Sequence, residues 1–151
     1  MPSPAVPFRL DAARRAGQLR QFNARSEIAW FGFAGAFEEP GTALITFTKL
    51  ESGALGGGGT AAINGGVIAA GFDAAFVLAG LGHYDVEVVV TLELSVKFLR
   101  LAQASRPLAF RARVVRSTPR FGFGEGVLVW QDDPAAVPMA IASAMVAPAQ
   151  A

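Results

Sequence analysis

The sequence predicts an α+β fold, an antiparallel sheet of five or six strands curled over one long central helix. Three observations carry that expectation. Residues Asn64–Leu81 (NGGVIAAGFDAAFVLAGL) run apolar around a whole helical circumference with Asp73 as their only charge, and a helix hydrophobic on every face is a buried one. Residues Val86–Leu99 alternate strictly, with Val86, Val88, Val90, Leu92, Leu94, Val96 and Phe98 on one face and Glu87, Thr91, Glu93, Ser95 and Lys97 on the other. Further strand-like runs follow at Arg106–Ser117, Arg120–Gln131 and Val137–Val146. A sheet with one apolar face must cover it, and the apolar helix is the natural object to wrap.

Taken in order, residues 1–10 are punctuated by proline and read as flexible. Residues 11–25 (DAARRAGQLRQFNAR) read as a short amphipathic helix capped by Asp11, with its arginines on a wet face. Glu27–Phe37 (EIAWFGFAGAF) reads as an aromatic-rich strand. The EEPG turn joins it to a second strand at Thr42–Leu50. Ser52–Thr60 is a glycine loop leading into the central helix, and Gly82 is the expected helix stop. In the second half, Leu108, Phe110, Ala112 and Val114 lie opposite Arg111 and Arg113. Gly122, Gly124 and Gly126 share one strand face, which points to a close approach by another group. Residues 147–151 read as a tail, and the whole of 1–151 as one domain.

At 151 residues and a formal net charge of +1, the chain holds one substantial core and gives no electrostatic reason to expect nucleic acid or an anionic membrane. There is no cysteine and a single histidine, which argues against disulfides, thiolate chemistry, a metal site and a histidine-based triad. The opening MPSPAVPFRL lacks the pattern of a secretory signal, so the cytoplasm is the expected compartment. Gly65–Gly82 approaches the length of a membrane span, but Asp73 at its middle would cost about 2.5–3.5 kcal/mol on insertion. Four consecutive glycines at 56–59 suggest a phosphate loop, yet no lysine follows as Walker A requires and the dinucleotide spacing is wrong.

The chemistry centres on Asp73, since a carboxylate within a buried helix is costly unless it is neutral, paired or used. Gly65 and Asp73 lie eight residues apart, or about 12 Å along a helix axis. An oxyanion donor and a base acting on one carbonyl must each stand within about 3 Å of the reacting atoms. One helix cannot supply both. Two antiparallel helices related by a twofold axis can, so an enzyme that used both residues on one carbonyl would have to be at least a dimer.

Together, Asn64-Gly65-Gly66 followed by Asp73, LELSVKFLRLA at Leu92–Ala102, Arg106-Pro107-Leu108, then FRARVVRS and RFGFGEGVLVW, resemble the PaaI-like hotdog thioesterases. That family opens its central helix with His-Gly-Gly or Asn-Gly-Gly and places an Asp nine residues after the His or Asn. The likeness runs from about Phe22 to Val146. It implies a hotdog fold and hydrolysis of an acyl-CoA thioester at a site shared by two subunits, with a homodimer as the minimal unit and a tetramer as the expected assembly. No cofactor is implied beyond the CoA part of the substrate.

On this resemblance Gly65 and Gly66 supply backbone N–H groups, unpaired at the helix start and at its positive dipole end, to the thioester oxygen. Asp73 attacks the carbonyl or activates water, and desolvation there would strengthen it as a base. Asn64 is either a helix cap or an additional donor to substrate, or both. Thr91 stands where relatives orient the attacking water with Ser or Thr, although strand parity puts it on the polar face. Arg100, Arg106, Arg111 and Arg113 are candidates for the CoA phosphates or for a solvated strand face. Some relatives carry an Asn six residues before the His; here that position is Gly58, which removes a second carbonyl donor. His83 reads as a loop residue. The alternatives are a non-catalytic acyl-CoA or small-ligand binding protein of the same fold, and a dehydratase or hydratase, which would need a partnered histidine.

Overall fold

Asp11 opens the first helix as expected. In the computed structural model, which describes residues 4–56 and 61–149, its carboxylate accepts from the Arg14 N–H at 2.8 Å, and α1 runs Ala12–Asn23. The expected strand at Glu27–Phe37 is corrected. Ser26–Phe31 forms a second helix, α2, and the strand β1 is Phe33–Glu38. Gly32 divides them with φ of 72°, a left-handed conformation that glycine takes without steric cost and that ends helices. A Cβ there would stand 2.7 Å from the Lys49 carbonyl oxygen.

The strands β2 (Thr42–Phe47), β3 (Val89–Phe98), β4 (Leu108–Ser117), β5 (Gly122–Trp130) and β6 (Ala140–Pro148) complete one antiparallel sheet, ordered β1-β2-β4-β5-β6-β3. The central helix α3 spans Gly65–Leu81 with Gly82 as its C-cap. A 3-10 turn at Ser52–Ala54 precedes it; the glycine-loop residues 57–60, Gly58 among them, lie outside the described residues.

The sheet closes on α3 through small-for-large exchanges. Phe76 of α3 lies against β5, where a Cβ at Gly124 would approach its ring to 2.7 Å. In the opposite sense, the Phe110 ring of β4 fills the space over Gly71 of α3, and Val89 of β3 packs on Gly80. The glycine face of β5 therefore accommodates the helix itself. Phe72 and Phe110 are fully buried and meet edge-on at 5.2 Å; burial of each such ring contributes about 1.5–3 kcal/mol. Leu108, Phe110, Ala112 and Val114 face this core as their alternation predicts.

Three expectations about exposure are overturned. First, residues 6–10 are held down as a strap: Val6, Phe8 and Leu10 donate backbone N–H groups to Val114, Pro40 and Gly82. Second, Ala147 and Pro148 belong to β6, pairing with Val90 and Val89. Third, the regular alternation of β3 breaks at a bulge between Thr91 and Glu93, and one extra residue shifts every later side chain to the other face. Val89 is consequently buried while Val88, Val90 and Leu92 are exposed; beyond the bulge, Leu94 and Val96 turn back to the core.

The two sheet edges differ. At β1, the Asn23 side chain accepts from the Gly35 N–H at 2.7 Å and donates to the Gly35 carbonyl at 3.1 Å, standing in for a neighbouring strand. At the far edge β3 pairs only with β6. Gln18, fully buried, ties α1 to the end of α3 by donating to the carbonyls of Leu81, Tyr84 and Val86.

Candidate active site

The segment entering α3 is pinned on both sides. Asn64 N–H donates to the Ala54 carbonyl, Ile63 N–H to Ala102 and Ala104 N–H to Ala61. Asn64 has extended backbone angles (φ −58°, ψ 137°), and its Oδ1 accepts from the Gly66 N–H at 2.8 Å. It is a helix N-cap. Of the two glycine amides assigned to an oxyanion, that of Gly66 is thus satisfied within the chain, and Gly65 keeps the N–H that the cap does not use.

Gly65 is exposed, with the ring of Phe98 3.4 Å from the place its Cβ would occupy. Around it lies an open hollow of ≈ 400 Å³ floored by Ile63, Ile68 and Ala102 and rimmed by Phe98, Leu99 and Leu101. These three rim residues are more than half exposed, so the helix start opens on an apolar collar. Nothing in the alternating pattern of Val86–Leu99 distinguished Phe98 from the core residues.

The expectation that α3 is covered all round is corrected. Gly65, Gly66 and Asp73 are exposed, and Ala69, Ala70 and Val77 are half-buried, forming an open stripe along the helix. Asp73 has no hydrogen bond or ion pair among the described residues, and its own chain does not supply the desolvation anticipated for it. It sits instead at the mouth of a groove of ≈ 190 Å³ between α3 and α2. Phe22, Ile28, Phe31, Phe33 and Val77 line this groove, and Arg25, Glu27 and Asp73 are its charged lining residues. The α2 wall escaped the sequence reading; Gly32 directly after SEIAWF was the available sign, as a helix stop.

Thr91 is not on the solvated face. It shares the inward face of Val89, opposite Val146, and its hydroxyl is buried without a partner among the described residues. The bulge explains the difference, since parity counted through Leu92 assigns Thr91 to the side of Glu93 and Lys97. The four arginines separate. Arg100 borders the Gly65 hollow and donates to the Val137 carbonyl. Arg106 lies over the Trp130 ring at 4.8 Å and pairs with Asp132. Arg111 and Arg113 project from the outer face of the sheet, paired with Glu38 and Glu125.

His83 is buried beneath the strap, its ring 5.7 Å from that of Phe8, and neither ring nitrogen has a partner among the described residues. Its pKa is lowered from 6.5 to about 4, first because burial disfavours the charged ring and second because of the Arg9 charge. Among the described residues no group of three His, Cys, Asp or Glu side chains could hold a metal ion, and no helix is long and apolar enough to cross a membrane.

Solved structures share this architecture over nearly their whole length. The PaaI protein of E. coli, from the phenylacetic acid degradation operon, superposes with a TM-score of 0.75 at 18% identity, covering 93% of this chain and 97% of that one. A thioesterase family protein of Silicibacter pomeroyi gives 0.74 at 21% identity, covering 88% and 96%. A mutant thioesterase of Pseudomonas aeruginosa gives 0.73 at 18%, covering 94% and 97%. These likenesses establish the hotdog fold. No curated protein sequence matches the chain. Residues 61–136, which include α3 and β3 to β5, match the model of the thioesterase superfamily, and the chain belongs to that superfamily.

Proposed function

We propose that the protein hydrolyses an acyl-CoA thioester, with Asp73 of one subunit acting on a carbonyl held by the Gly65 N–H of another. The observation that carries this reading is the placement of Asp73, an unpaired carboxylate on the one open stripe of an otherwise covered helix, beside an apolar groove. In a homodimer joined through the unpaired β3 edge, two α3 stripes would face each other head to tail, and the second copy would supply the desolvation that one chain lacks.

The polarised carbonyl would then lie against the Gly65 amide and the positive end of α3. Asp73 would draw a proton from the water that attacks the carbonyl, or attack the carbonyl itself to form a mixed anhydride that water then cleaves; in both routes the C–S bond breaks and CoA leaves as the thiolate. Arg100, at the edge of the Gly65 hollow, is the arginine best placed for the CoA portion. Asn64 keeps its side-chain NH₂ as a donor while its oxygen caps the helix. The buried Thr91 hydroxyl would act within this site only by orienting water, its role in the related pattern.

Asp73→Asn keeps the shape and the exposure and removes the base. Thiol release from acyl-CoA should fall by at least about 10²-fold, as expected for loss of a catalytic acid–base group, while the oligomer persists. Undiminished turnover in that variant refutes the mechanism. A second reading, an acyl-CoA binding protein without turnover, is favoured by one observation: the Asn64 cap occupies the Gly66 N–H and leaves one fewer oxyanion donor. Saturable CoA-ester binding with no thiol release would select it.

A further inference from the structure

We infer that α2 is the end wall of the acyl subsite, with Ile28 and Phe31 limiting the acyl group to about one six-membered ring or a six-carbon chain. This rests on the thioesterase reading of Asp73. The groove beside Asp73 measures ≈ 190 Å³, and an apolar protein cavity of about 150 Å³ holds a benzene ring. Its far side is closed by core, since Phe22, Ile28 and Phe33 are each no more than 5% exposed.

That wall cannot easily recede. Phe31 stacks on Phe33 at 5.1 Å and 10°, and Phe33 in turn meets Phe47 at 5.4 Å and Phe110 at 6.2 Å. Arg25 is likewise fixed: its guanidinium donates to the Glu87 carbonyl at 2.9 Å and lies 5.6 Å over the Phe22 ring. Apart from the charged Arg25, Glu27 and Asp73, the lining that an acyl chain meets before α2 is apolar. Longer chains must leave their remaining methylenes outside the groove.

The test is thiol release from a CoA thioester series, acetyl to dodecanoyl plus benzoyl, by the full chain. Calorimetry with free hexanoate, benzoate and dodecanoate is read in parallel. Each added methylene should raise kcat/KM about fourfold up to roughly six carbons, and the gain should then stop. Phe31→Ala should move that break toward longer chains. Val77→Phe, on the opposite wall, should lower benzoyl and hexanoyl turnover at least ~10-fold more than acetyl turnover, which keeps the test open where Phe31→Ala does not fold. A rise that continues to dodecanoyl, or a break unmoved in both variants, overturns the inference while leaving the hydrolase reading intact. Absence of thiol release from every ester sinks the hydrolase reading. The groove is then judged on the free acids alone: hexanoate and benzoate binding tighter than dodecanoate supports the wall, and the reverse order overturns it.

Discussion

Gly65→Pro separates the Gly65 amide from everything else at the helix start. Gly65 is the first residue of α3, the position at which proline is favoured because its missing N–H has no intrahelical partner. Asn64 before it already has ψ of 137°, the extended conformation that a following proline requires. A Cβ at residue 65 meets the Phe98 ring at an ordinary 3.4 Å, and the cap to Gly66 is untouched. The variant should fold with a melting temperature within a few degrees of the parent and lose one oxyanion donor, which is worth about 10²–10³ in kcat. Co-expression with Asp73→Asn then tests the sharing of the site. Random pairing makes half the dimers mixed, and each mixed dimer holds one intact site of two. Two nearly inactive chains should therefore recover about a quarter of parental activity. Parental turnover in Gly65→Pro alone, or a co-expressed mixture no better than its parts, refutes the shared-site reasoning.

Buried His83 makes stability depend on pH in a set direction. Between pH 6.5 and about 4 the unfolded chain takes a proton that the folded chain refuses, so stability is full above 6.5 and falls as pH drops through that window, by about 3 kcal/mol in all. Urea midpoints at pH 7 and pH 4.5 should converge in His83→Leu relative to the parent; an equal loss in both proteins excludes the histidine as the cause. In the helix core, Gly71→Ala puts a methyl 2.2 Å from the buried Phe110 ring and should cost about 1–3 kcal/mol by overpacking. Gly17→Ala, on α1 with its nearest contact at 3.8 Å, should instead gain up to about 1 kcal/mol. Thermal unfolding of the two variants should shift in opposite directions, and a shift of the same sign shows the Phe110 contact to be slack.

Local chemistry made much of this molecule legible in its sequence. Asp11 and Asn64 are caps because short polar side chains compete for helix amides. Gly124 and Gly126 mark the approach of α3, while Gly122 faces Val146 and Tyr84, and β4 shows the inward face that its alternation predicts. Asp73 stands out as the one charge in an apolar run, whereas its pairing with Gly65 is implied by the family resemblance. What escaped depended on tertiary context. SEIAWF has the composition of a strand and becomes a helix because Gly32 must turn left-handed beneath Lys49. A single bulge near Leu92 inverted the parity of β3, so that Thr91 went inward and Val88, Val90 and Leu92 outward. The exposure of Asp73 depends on where the sheet stops curling, which no periodicity records.

The Asn23 amide fills the outward N–H and C=O of Gly35 at the middle of β1, so the two rims of the ribbon are not equally open to a neighbour. A ribbon open on both sides can recruit copies without end, as fibrils do. With Gly35 already engaged by the asparagine, a strand added beside β1 would lose a bonding position that β3 still offers. The same small clasp that steadies the first helix would thus also bias strand-to-strand growth toward the opposite rim.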